Sequence, residues 1–126
     1  AAATFARAQG ASQLVLIGAS MGGIATVPAA IAIEPAAYVT ISAPLGFAGL
    51  EASDAALQTS AAPKLFKNSQ GDPYVADTEH MAAVAAEPKT LSVYASSLHG
   101  MRLLSSKAGP ELVGEIVNFV AAHMPL

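Results

Sequence analysis

Four short apolar runs, Gln13 to Ile17, Tyr38 to Ser42, Lys64 to Asn68 and Thr90 to Tyr94, alternate along this chain with longer stretches of helical period. Apolar runs of this length suit strands covered on both faces, and strands separated by a helix-length connection cannot pair as hairpins. The pattern predicts βα units stacked side by side: an α/β fold with a parallel sheet of about four strands flanked by helices.

Helices are predicted at Met21 to Ile33, Leu50 to Gln58, Asp77 to Ala86 and Glu111 to Ala122, after the end of an earlier helix at Thr4 to Gln9 that Gly10 stops. The last is the clearest. Leu112, Ile116, Phe119 and Val120 make one apolar face, and Pro110 takes a favoured first-turn position. With no internal repeat or linker, 126 residues make one domain.

Composition removes several classes of function. The chain is 53% hydrophobic and 12% charged, so it packs rather than staying disordered. Its six basic residues, Arg7, Lys64, Lys67, Lys89, Arg102 and Lys107, are scattered and the net charge is −3, which argues against nucleic acid as a partner. There is no cysteine, and the three histidines form neither a close pair nor H-E-x-x-H, so no metal site is expected. Gly18, Gly22 and Gly23 do not spell G-x-G-x-x-G, and the next strand ends in Ser42-Ala43-Pro44 without an acidic ribose ligand, so no cofactor is expected either. No apolar stretch reaches bilayer length and no basic leader precedes an apolar block, from which a cytoplasmic chain with no membrane partner is expected.

The chemistry starts at Gly18-Ala19-Ser20-Met21-Gly22, a G-x-S-x-G pentapeptide between the first strand run and the first long helix. On so sharp a turn a Cβ two positions either side of the serine is expected to collide with strand or helix, which glycine avoids. The strain lifts the Ser20 hydroxyl clear of the sheet, and the Met21 amide points with the helix N-terminus at the place where an oxyanion forms. The competing reading is a glycine-rich turn with a surface serine.

In a parallel sheet the carboxyl ends of the strands open onto one crevice. Ser20 follows the first strand, Asp72 follows the third in Gly71-Asp72-Pro73-Tyr74, and His99 follows the fourth in Leu98-His99-Gly100. A serine hydroxyl needs an imidazole to take its proton, and the imidazole needs a carboxylate to orient it. Asp72 as a turn former before Pro73, and His99 as a plain loop residue, are the structural alternatives. His80 and His123 lie in helices, Asp54 in a weak helix and Asp77 at a helix start, where capping is the usual role.

With the order Ser, Asp, His and the marks Leu14 to Gly23, Ser42-Ala43-Pro44, Gly71 to Val75 and Leu98-His99-Gly100, the chain resembles the carboxyl-terminal half of an α/β-hydrolase of the serine esterase kind. The resemblance spans nearly all of residues 1–126, as a single truncated domain. It implies Ser20 as nucleophile, His99 as general base and acid, Asp72 as orienting carboxylate and Met21 as a backbone oxyanion donor. It also implies that the other half of a sheet of about eight strands, with the loop that supplies the second oxyanion amide, lies outside this chain.

Two expectations follow. Met21, Leu45, Phe47, Tyr74, Leu98 and Met101 are placed to line an open apolar pocket for a small ester, although core packing is the competing role for at least half of them. The Leu14 to Ile17 strand becomes an unpaired apolar edge, which predicts a homodimer or association with a missing amino-terminal half. The leading function is a carboxylesterase-like serine hydrolase, weakened by the missing oxyanion loop. The alternative is a non-catalytic hydrolase-derived packing or interaction module.

Overall fold

The computed structural model describes residues 1–124. Its elements are α1 (Ala2–Ala8), β1 (Val15–Ala19), α2 (Met21–Ile33), β2 (Ala37–Ile41), β3 (Gly46–Phe47), β4 (Leu50–Glu51), α3 (Asp54–Thr59), β5 (Lys64–Ser69), α4 (Val75–Val84), β6 (Lys89–Tyr94), a 3-10 helix (Gly100–Ser105) and α5 (Gly109–His123). The main sheet is four-stranded and parallel in the order β1-β2-β5-β6, and β3 with β4 forms a separate antiparallel hairpin.

Side chains alternate across the sheet and divide the core in two. Tyr38 and Phe66 face Ile24, Val27, Leu57 and Met81 on one side, while Val39, Ile41 and Leu65 face Tyr94, Leu103 and Leu112 on the other. Each large side chain so buried contributes roughly 1.5–3 kcal/mol. Every residue of β2 and β5 is buried, as central strands covered on both faces require.

Two lysines in β5 are buried because each ammonium has partners. Lys64 Nζ donates to the carbonyls of Ser60 (2.8 Å) and Ala86 (2.7 Å), and burial pushes its pKa down. Lys67 Nζ donates to Tyr94 Oη at 2.9 Å and pairs with Glu115. Glu115 Oε2 also accepts from Ser92 Oγ and Tyr94 Oη, both at 2.9 Å. Desolvation pushes the Glu115 carboxyl up, but these three donors outweigh it and hold the group below its ordinary range. The Tyr94 phenol is pushed up by burial and by Glu115.

Most boundaries shift by one or two residues from the sequence pattern, and three differences bear on the site. β1 runs to Ala19 instead of ending at Ile17, because pairing with β2 continues to Ala19↔Ile41. The helix expected over Leu50 to Gln58 is instead β4, the second strand of the hairpin, followed by α3 alone. Ala48 and Gly49 both have positive φ (51° and 83°), the two-residue turn that joins twisted antiparallel strands, and Ser53 Oγ then caps α3 by accepting the Ala56 amide at 3.1 Å. α4 begins at Val75, ahead of the expected Asp77.

β1 is an edge of the sheet: among the described residues no strand pairs with its outer side, and Ile17 is 53% exposed. No helix among the described residues is long and apolar enough to cross a membrane.

Candidate active site

Ser20 is the residue between β1 and α2. Its amide donates to the Ile41 carbonyl at 2.8 Å, continuing the β1–β2 ladder, while its own carbonyl accepts the amides of Gly23 and Ile24 and so starts the helix. Serving both elements forces φ 51°, ψ −119°, a conformation that costs a non-glycine residue of order 1–3 kcal/mol. A Cβ on Gly18 would lie 2.1 Å from the Gly22 carbonyl oxygen, so only glycine fits there. Gly22 differs from expectation: a Cβ there meets nothing within 4 Å, because the residue lines an open groove beside β1. The second close approach is at Gly23, where a Cβ would come within 2.7 Å of the Ala43 methyl.

Asp72 sits in the turn after β5 and His99 in the loop after β6, and parallel pairing of Ser69 with Tyr94 at the ends of those strands brings the two loops side by side. His99 Nδ1 lies 2.5 Å from Asp72 Oδ2, and His99 Nε2 lies 2.8 Å from Ser20 Oγ. An ionised carboxylate only accepts, so Nδ1 carries the proton and donates to Asp72, leaving the Nε2 lone pair to accept from the Ser20 hydroxyl. Asp72 has a fully buried side chain, and its second oxygen accepts the Tyr74 amide at 2.7 Å. The Tyr74 ring lies against the imidazole, with centroids 5.8 Å apart.

A cavity of about 430 Å³ opens onto Ser20 and His99. Of the residues expected to line it, Met21, Phe47 and Tyr74 do, joined by Ala19 and Pro44, which the sequence reading had not included. Leu45, Leu98 and Met101 are not in its wall. Leu45 packs against the core and donates its amide to Asp77 Oδ2 at 2.9 Å, Leu98 is half-buried in the His99 loop, and Met101 is 63% exposed on the 3-10 helix. Phe47 reaches the cavity from the β3–β4 hairpin that follows β2 in the chain. Asp77 therefore anchors the segment leading into this hairpin instead of capping a helix. His80 pairs with Asp54 at the surface at 2.7 Å and His123 packs on Phe119, both outside the cavity. Among the described residues no three His, Asp or Glu side chains gather where they could hold a metal ion.

No family model matches the sequence, and no curated protein matches it significantly. Solved structures do match. The esterase domain of a Rhodothermus marinus protein superposes with a TM-score of 0.77 at 24% identity, covering 96% of this chain and 65% of that one. A metagenome-derived lipolytic enzyme matches with a TM-score of 0.78 at 18% identity, over 97% of this chain and 70% of the other. The chain has part of the α/β-hydrolase fold. A type II thioesterase from the borrelidin biosynthetic cluster shares the fold at a TM-score of 0.62 and 16% identity, over 98% of this chain and 67% of its own. This chain thus spans about two thirds of the length of these proteins, at identities where likeness speaks for fold. In it Ser20, Asp72 and His99 meet at the carboxyl ends of the strands, the edge at which open α/β sheets bind ligands.

Proposed function

We propose that this chain is a serine hydrolase that cleaves small carboxylic esters through an acyl-enzyme intermediate. The observation that supports it is the continuous hydrogen-bonded path Ser20 Oγ, His99 Nε2, His99 Nδ1, Asp72 Oδ2, with steps of 2.8 and 2.5 Å across the ring. Ser20 Oγ attacks the ester carbonyl carbon as its proton passes to His99 Nε2, and the tetrahedral oxyanion takes the Met21 amide as donor. Collapse breaks the bond to the alcohol oxygen, which leaves with the proton from Nε2. Water then attacks the acyl group by the same route, giving the acid and restoring Ser20. Asp72 stays ionised, holds the imidazole in the tautomer that can accept, and stabilises the imidazolium. The small cavity between Phe47, Tyr74 and Met21 favours short acyl groups.

The test is turnover of p-nitrophenyl acetate together with covalent labelling by a fluorophosphonate. Wild-type chain is expected to do both and Ser20→Ala neither; activity or labelling that survives the substitution removes Ser20 from the mechanism. The open β1 edge favours a second reading, a hydrolase-derived interaction module, which a folded chain that never labels at Ser20 would select.

A further inference from the structure

Ser42 and Ser69 are fully buried serines at the carboxyl ends of the neighbouring strands β2 and β5, and the chemistry above uses neither. Both hydroxyls are spent on the loop that carries His99. The Gly100 amide donates to Ser42 Oγ at 2.9 Å, and Ser69 Oγ donates to the Leu98 carbonyl at 2.8 Å. The residue before the imidazole and the residue after it are therefore each tied by one hydrogen bond to a rigid strand end.

Ser42 is held at φ 53°, in the left-handed region, while its amide still donates to the Lys67 carbonyl at 2.8 Å. A buried non-glycine residue keeps such a conformation only where its surroundings enforce it. Here the twist takes the hydroxyl out of the strand register and to the Gly100 amide, itself at φ 61°. The His99 side chain is 37% exposed and sits in an irregular segment between β6 and the 3-10 helix, so packing on the ring alone does not fix its aim.

We infer that Ser42 and Ser69 are positioning residues that clamp the loop on both sides of His99 and keep Nε2 within hydrogen-bond reach of Ser20 Oγ. The inference rests on the proposed roles of Ser20 and His99 for its effect on rate, and on geometry alone for its effect on the ring. Misplacing a reacting group by about 1 Å costs up to about 10²-fold in rate, so each hydroxyl matters to kcat more than to binding.

The experiment uses the full chain with Ser42→Gly, which accepts φ 53° without strain and removes the CH₂OH group, along with Ser69→Ala and the hydroxyl-retaining Ser69→Thr. With p-nitrophenyl acetate, Ser42→Gly and Ser69→Ala are expected to lose about 10- to 100-fold in kcat with KM within about twofold, and Ser69→Thr to recover most of the loss. In ¹⁵N-imidazole NMR the His99 signals should broaden or split in the two deletion variants and stay single in Ser69→Thr. Deletion variants that melt earlier yet keep the wild-type imidazole spectrum and kcat mark the serines as structural only and overturn the clamp. A wild-type chain that neither turns over nor labels ends the hydrolase reading separately, and the imidazole spectra still decide the clamp.

Discussion

Asp72 divides its two carboxylate oxygens between His99 Nδ1 at 2.5 Å and the Tyr74 amide at 2.7 Å. The division makes Asp72→Asn a clean perturbation. The amide oxygen can still accept from Tyr74, while the NH₂ group faces Nδ1 and selects the tautomer with its proton on Nε2, which can no longer accept from Ser20. Ester turnover should fall by about 10³- to 10⁴-fold with the melting temperature little changed. A loss below tenfold would show that the imidazole does not depend on this carboxylate.

Gly18 and Gly22 flank the nucleophile turn symmetrically in sequence and unequally in space. Gly18→Ala drives a methyl into the Gly22 carbonyl and should lower stability by about 2 kcal/mol or more, whereas Gly22→Ala fills open space in a helical first turn and should be neutral or stabilising by up to about 1 kcal/mol. Urea denaturation of the two variants measures both. Equal destabilisation would contradict the open groove at Gly22.

Glu115 links acid sensitivity to the Lys67 ammonium. Its folded-state pKa is held below the unfolded value, so the stabilisation is fully present above the ordinary carboxylate range and is lost as pH falls through the lowered value. Denaturation midpoints should drop on acidification through and below that range, and Glu115→Gln should flatten this part of the profile. The variant should also cost about 1–3 kcal/mol at neutral pH, less than a fully buried pair because the Glu115 side chain is 37% exposed.

The outer edge of β1 carries unpaired backbone groups and an exposed Ile17, with no charged residue from Val15 to Ala19 to discourage pairing. The 126-residue chain is expected to self-associate through this edge, sedimenting as a dimer rather than at 12.6 kDa. Ile17→Lys should shift it toward monomer. A wild-type chain that stays monomeric at tens of micromolar would show that a second copy does not cover β1.

The alternation of covered strands and helices is legible in the sequence because both periods are local, and so is the strand–Ser20–helix junction, since glycine is demanded by the turn itself. The segment from Leu50 misleads because its helix-like composition is overruled by the preceding two-residue turn, Ala48-Gly49 with φ positive at both positions, which returns Leu50 to pair with Phe47. Leu45, Leu98 and Met101 misled for another reason. Apolar residues near a site in sequence point either to the core or to the cavity according to loop conformation, which no periodicity records. The hydrogen bonds of Ser42 and Ser69 left no signal, because both are small residues at strand ends whose partners lie 58 and 29 positions away.

By itself, then, the sequence determined the fold class, the strained turn under Ser20 and the strand ends that offer Asp72 and His99, because local sterics and hydrophobic period act over a few residues. Only the tertiary structure decided that those three side chains share one hydrogen-bonded path, which hydroxyls hold the His99 loop and which residues wall the cavity. Those outcomes depend on parallel register and loop packing, where groups distant along the chain are brought within 3 Å by the sheet and by nothing nearer in sequence.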